Sequence, residues 1–340
     1  MARERLHGID LLRWPLMIAI MIWHYSSALW EGANSHEYFP FLPSFVIWKA
    51  VKYFAWTLGF SGFAILFLSF FLMGYRGLKK PIKFVGFLVL GWILFSLVTH
   101  YPGDMYYLNW DIYPLLIVGF LSIYLLQKTN YRIIIGAGLF GFFLTWIPFW
   151  NIWTHFSHHF LKEIFVGDCQ IEQGSFPLLP WIGLIWSGYG LGAWAQRSVW
   201  SRRRSWELYV WPVLLGITTP LLGTYTSIQA GSTYDCLSFR QPPSILWSHL
   251  IWIVFFIRLS FFEQVQSFLS KKPWVHFLSR FALTNKFWLF YFTHFMVIYF
   301  FTDSWGAFLR TGPWVSLLGL LLIFPVTELL IHVLRKNFKF

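Results

Sequence analysis

Apolar residues in this chain gather into windows of roughly 17 to 25 residues that recur from end to end, the length a helix needs to cross a bilayer. Read by hydropathy, the pattern predicts about ten such segments. They lie near residues 10–31, 46–72, 82–99, 111–127, 132–150, 177–197, 207–224, 243–262, 284–302 and 313–334. The breaks between them are polar. Those at 31–45, 150–176 and 225–242 are long and contain glycine, while the alternate breaks are short and basic. No linker, low-complexity block or fixed-period repeat divides the chain. The expected architecture is therefore all-α: a polytopic integral membrane protein, one domain over residues 1–340, with both termini cytoplasmic.

One segment departs from the pattern. The stretch RLHGIDLLRWPLMIAIMIWHYSSALW (residues 5–30) reads as a spanning helix yet carries Asp10, Arg13 and His24. At about 100° per residue these three fall on one stripe with Met17 and Met21. At ~1.5 Å rise per residue His24 lies about 21 Å from Asp10 along the axis, two-thirds of a hydrocarbon core of about 30 Å. Ionisable groups placed so normally face a bundle interior or a water-filled cavity. The plain reading is an i, i+3 ion pair at an interface and a histidine bonded to a neighbouring helix. The functional reading is a line along which an anionic donor enters from the cytoplasm, its head meeting Arg13 and its reactive tip meeting His24.

Charge changes the picture next. The chain is 57% apolar and 12% charged, with a formal charge of +12, against about 25% charged residues in a typical soluble domain. With the N-terminus inside and the spans alternating, all 26 Lys and Arg except Lys49, Lys52, Lys162, Arg240 and Arg310 fall on the cytoplasmic side. Glu31, Glu37, Asp104, Asp111, Glu163, Asp168, Glu172, Asp235 and Asp303 fall on the other side. This is the positive-inside asymmetry, so the basic surplus speaks of topology and against nucleic acid as a partner. The first apolar run is too long and too charged for a cleavable signal. A bacterial inner membrane is the expected location; a lumen-facing organelle membrane would look similar. Cys169 and Cys236 both fall in outer loops, where they either pair or stand as unrelated thiols.

At Arg5, Ile9–Asp10, Arg13 and His24 the sequence resembles the first-helix motif of transmembrane acyltransferases. The motif is shared by the acyltransferase-3 proteins and the heparan-alpha-glucosaminide N-acetyltransferase-like proteins. Three further stretches resemble the second group: GFAILFLSFFLMGYRGLKK (62–80), FPLLPWIGLIWSGYGLGAW (176–194) and LTNKFWLFYFTHFMVI (283–298), the last with Tyr291 three residues before His294. The first motif departs from the family in having Trp14–Pro15 after Arg13 in place of a glycine. The resemblance implies transfer of an acyl group, acetyl by family expectation, from cytoplasmic acyl-CoA to a glycan or amino-sugar acceptor on the far side. It implies catalytic roles for His24, Asp10 and His294 and donor contacts from Arg13, Arg76 and Tyr291. Arginine suits such a donor as the better phosphate fork. Neutral His24 either takes a proton from the acceptor or carries the acyl group transiently; Asp10 either holds Arg13 or joins the chemistry. The implied partners are the bilayer, acetyl-CoA as substrate and the acceptor, with no metal. Monomer and homo-oligomer both stay open.

Other features have plainer readings. HFSHH presents His155, His158 and His159 at a spacing zinc can use, but only Glu163 stands nearby. Asp111 opens a segment where the helix dipole favours a carboxylate, and Arg76 closes one where a snorkelling arginine is usual. GYGLG (188–192) lacks the strand context of a nucleotide loop and suits close helix packing. Glu328 is an intramembrane carboxylate near the inner end, solvated or paired with Arg335. The competing function is a proton-coupled transporter with Asp10, Arg13, His24 and Glu328 as a relay, a reading that usually comes with internal repeats.

Overall fold

The computed structural model describes residues 6–30, 61–77, 85–93, 112–144, 178–197, 207–231, 243–281, 283 and 287–338. Among the described residues there is no strand, and the all-helical expectation holds. The helices are α1 (His7–Trp30), α2 (Ser61–Arg76), α3 (Ile112–Leu126), α4 (Tyr131–Leu144), α5 (Leu178–Arg197), α6 (Glu207–Gly231), α7 (Pro243–Ser260), α8 (Glu263–Ser270), α9 (Pro273–Leu278), α10 (Phe287–Leu309) and α11 (Pro313–Phe338). Residues 85–93 are helical as well.

Helix ends follow local chemistry more closely than they follow hydropathy. Helix α2 runs four residues past its apolar window and stops at Gly77, whose φ of 80° is the left-handed conformation that ends helices cheaply at glycine. Helix α10 continues through polar Asp303 and Ser304 to Leu309, beyond the apolar window that closes at residue 302. Leu179 leaves helical geometry (φ −98°, ψ 128°) because the ring of Pro180 disfavours the helical conformation in the residue before it. Residues 263–278, expected as a basic loop, instead form α8 and α9, broken at Lys272–Pro273 where proline can only begin a helix.

Within α11, Trp314–Lys336 is long and apolar enough to cross a membrane, and α7 with α8 would make a second span if their 69° bend lies within one crossing. Ala64–Arg76, Ile112–Leu126, Tyr131–Gly141 and Tyr209–Leu221 are apolar but shorter. Helix α1, with 24 residues, reaches about 36 Å, yet Asp10, Arg13, Pro15 and His24 dilute its apolar character. Large apolar side chains stand outward in number, among them Leu125, Ile133, Val213, Trp314 and Leu321. A surface of that kind marks association with a membrane or a partner rather than with water.

The described residues form two compact units. In one, which takes in Leu66–Phe262, α4 packs along α5, α3 against α5 and α6 against α7. Helix α5 is built for close approach on two sides. A Cβ on Gly192 would strike the Phe71 carbonyl, one on Gly74 the Tyr189 carbonyl, and one on Gly138 the Ser187 hydroxyl. This is the close packing that GYGLG predicts, with small residues letting backbones meet. A buried ion pair, Arg258 Nε to Glu207 Oε2 at 2.7 Å, joins the end of α7 to the start of α6. The other unit holds Arg5–Ile65 and Glu263–Phe340. Here α1 packs along α10 and touches α8, α9 and α11, and α10 packs against α11.

Candidate functional site

The second unit brings together two histidines 270 residues apart in sequence. His24 Nδ1 and His294 Nε2 lie 3.2 Å apart, and their rings stack at 5.5 Å with 22° between planes. Helical geometry fixes each of them. His24 projects from the second half of α1 onto α10, and His294 projects from α10 onto α1. His294 is wholly buried, while His24 keeps part of its surface accessible. A hydrogen bond between two imidazoles needs one nitrogen to donate and the other to accept, so the pair shares one proton in that contact.

Aromatic rings wall the pair in. Phe295 lies 4.1 Å from His24 and 4.6 Å from His294. Tyr291 meets His294 edge-on at 5.5 Å, and Phe290 stacks on it at 6.3 Å. One residue beyond His24, Tyr25 is fully buried and donates its hydroxyl to the Ser316 carbonyl at 2.9 Å, tying α1 to α11. Gly319 leaves room for it: a Cβ there would stand 2.5 Å from the Tyr25 oxygen.

Asp10 and Arg13 form a separate cluster near the start of α1, with Arg13 Nη1 3.6 Å from Asp10 Oδ1 and both side chains buried. The face carrying them continues through buried Met17 and Met21, and the exposed positions of the helix, among the described residues, are Pro15 and Ile18. Asp10, Arg13, Met17 and Met21 of the expected stripe are thus buried. A shallow pocket borders this cluster, lined by His7, Asp10, Leu11 and Trp14 of α1 and by Val275, Leu278 and Ser279. His7 closes its edge, its amide donating to Gln266 Oε1 at 3.3 Å and its ring lying against His276 at 5.8 Å. Between this pocket and the histidines runs a chain of ring contacts: Trp14 with Phe281 and Phe324, Phe324 with Phe290, and Phe290 with His294.

Of the residues singled out in the sequence, His24, His294 and Tyr291 are thus in one cluster and Asp10 with Arg13 in another on the same helix. Arg76 belongs to the other unit, exposed in the last turn of α2, where a cation complements the helix dipole. Glu328 accepts the Leu283 amide at 3.2 Å, so it caps backbone just before α10, a partner that hydropathy did not suggest. Asp111, Cys169, Cys236, His155, His158, His159 and Glu163 lie outside the described residues, as does most of the sequence in the long outer loops. Among the described residues no group of three His, Cys, Asp or Glu side chains could hold a metal ion. Phe295, Tyr25, His7 and Gln266 were not singled out. Phe295 could have been, as the neighbour of His294; the others carry no signal short of the fold.

No family model, no curated protein and no solved structure matches this chain.

Proposed function

We propose that this protein is a membrane-embedded acyltransferase that moves an acyl group, acetyl in the first instance, from cytoplasmic acyl-CoA to a hydroxyl or amine of a glycan or amino sugar on the outer side. The observation that carries this reading is the direct contact of His24 with His294, two histidines from distant segments held among the rings of Phe290, Tyr291 and Phe295. A lone intramembrane histidine is explained by packing; a bonded pair of imidazoles is an arrangement suited to moving a proton. The proposal includes a ten-span topology with basic loops inside, supported by the charge asymmetry, by the outward apolar side chains and by α11.

In the proposed step His24 removes the proton from the acceptor O–H or N–H as its oxygen or nitrogen attacks the thioester carbonyl carbon. The tetrahedral intermediate then expels the CoA thiolate, the C–S bond breaks, and the imidazolium returns the proton to sulfur. A covalent acyl-His24 intermediate is the alternative order of the same bond changes. Arg13, held by Asp10, supplies a fixed cation toward the cytoplasmic end of α1, where donor phosphates would meet it.

Purified protein in detergent is given isotope-labelled acetyl-CoA, with thiol release and acyl transfer to glycan acceptors followed by mass spectrometry. Wild type releases CoA and labels the acceptor; His24→Ala inserts and purifies normally but does neither. Intact acetyl-CoA in the wild-type reaction, as a transporter would leave it, or full activity in His24→Ala, would falsify this reading.

A further inference from the structure

Aromatic rings and cations mingle on the outward side of α8 and α9. Phe268, Trp274 and Phe277 are 59%, 49% and 57% exposed. Exposed Lys271 and Arg280 stand among them, with Lys272 half-buried. Lys272 Nζ lies 4.5 Å from the centre of the Phe268 ring, so charge and ring share one level. We infer that this face is a docking surface for anionic phospholipid headgroups. The other side of the two helices is occupied. Val275 is buried, and with Leu278 it lines one small pocket together with His7, Asp10 and Leu11 of α1. Gln266 accepts the His7 amide. His276 Nε2 donates to the Ser270 carbonyl at 2.7 Å, which fixes the corner between α8 and α9.

Position and charge choose the occupant. Helices α8 and α9 pack on α1, at its first turns. The Glu328 carboxylate, late in α11, accepts the Leu283 amide ahead of α10. The face thus lies where α1 and α10 begin and α11 nears its end, the level at which a bundle meets a membrane surface. Residues 263–281 carry Lys271, Lys272 and Arg280 against the single carboxylate of Glu263. A two-fold contact with a second copy would set like charges together, and water does not favour a cluster of exposed rings. The headgroup layer of an anionic bilayer takes both, rings at the acyl boundary and cations among phosphates. The middle of α11 makes the contrast. Its Leu318, Leu321 and Leu322 are exposed with no Lys or Arg between 313 and 334, as suits acyl chains alone. The inference rests on the membrane embedding proposed above and is independent of acyl transfer.

The test is photo-cross-linking of the full-length protein in phosphatidylcholine vesicles that hold a minor share of phosphatidylglycerol. One sample carries Phe277→benzoylphenylalanine and another Leu321→benzoylphenylalanine, and mass spectrometry identifies the adducts. Cations near an anionic surface each add about fivefold in affinity, so at Phe277 the ratio of phosphatidylglycerol to phosphatidylcholine adducts should exceed the mole ratio by about tenfold or more. At Leu321 it should equal the mole ratio. The triple variant Lys271→Gln, Lys272→Gln and Arg280→Gln should keep lipid adducts at Phe277 but bring their ratio down to the mole ratio. Equal ratios at the two positions, an unchanged ratio in the triple variant, or adducts at Phe277 to a second copy of the chain each overturn the inference. Should the triple variant fail to fold, the comparison of the two positions decides without it. Lipid adducts missing at Phe277 alone overturn the inference, and missing at both positions they overturn the embedding as well. Unreacted acetyl-CoA in the transfer assay bears on the acyltransfer reading only.

Discussion

Buried ions show how much a single side chain decides here. Glu207 and Arg258 meet at 2.7 Å with little exposure, and Arg258 also lies over the Phe262 ring at 5.2 Å. Removing one partner from such a pair is costly because the other charge stays buried, about 3–5 kcal/mol, while replacing both with apolar groups of like size is often neutral. Glu207→Gln should therefore lower the thermal unfolding midpoint in detergent markedly, and the double variant Glu207→Leu with Arg258→Met should recover most of the loss. Equal midpoints for wild type and Glu207→Gln would show that the pair contributes little. Tyr25 offers a finer case. Its hydroxyl bond to Ser316 is of the class that contributes about 1 kcal/mol net, so Tyr25→Phe should be mild. Gly319→Ala is different, for the new methyl would displace the Tyr25 ring beside His24. We expect kcat to fall at least tenfold in Gly319→Ala with the protein still folded, measured in the acetyl-transfer assay; unchanged kcat would separate the α1–α11 contact from the chemistry.

Helices meet in this protein through glycine as much as through large side chains. Gly74 and Gly192 sit where α2 and α5 touch backbone to backbone, whereas a Cβ on Gly136 or Gly216 meets nothing within 4 Å. Overpacking a tight contact costs about 1–3 kcal/mol and can cost more when the obstacle is backbone. At an open helical position Ala is better than Gly by about 1 kcal/mol. Gly192→Ala and Gly74→Ala should thus destabilise, and Gly136→Ala and Gly216→Ala should be neutral or stabilising, with thermal midpoints ordering the four. This scale also shows what the chain discloses about itself. The kink at Leu179 follows from Pro180 alone, and the stop at Gly77 from glycine alone, since both are conflicts between neighbouring atoms. Helices α8 and α9 were read as loop because only six to eight residues long, with lysines between them, they fall below any hydropathy window. Their contact with α1 depends on residues more than 250 positions away, such as Gln266 for His7, and no local pattern encodes that.

For the molecule as a whole, the proposed alternation of sides is open to a direct test. The short turn at Gln127–Asn130 joins α3 to α4 beside Lys128 and Arg132, and the turn at Arg310–Gly312 joins α10 to α11 beyond Asp303. Reporter fusions ending after Asn130 should read cytoplasmic and those after Thr311 should read external. The same compartment for both would overturn the ten-span arrangement, because an odd number of crossings is proposed between them.

What the sequence determined alone is whatever short-range physics controls: the helical character of the apolar blocks, the breaks at Pro180 and Pro273, and the inward stripe of Asp10, Arg13, Met17 and Met21. Helical spacing sets which side chains share a face. Only the tertiary structure decided what the stripe meets. That His24 bonds His294, that Phe295 covers both and that Glu328 holds the Leu283 amide are facts of distance between segments far apart in the chain. Hydropathy averages over windows of residues and is blind to angstroms between helices.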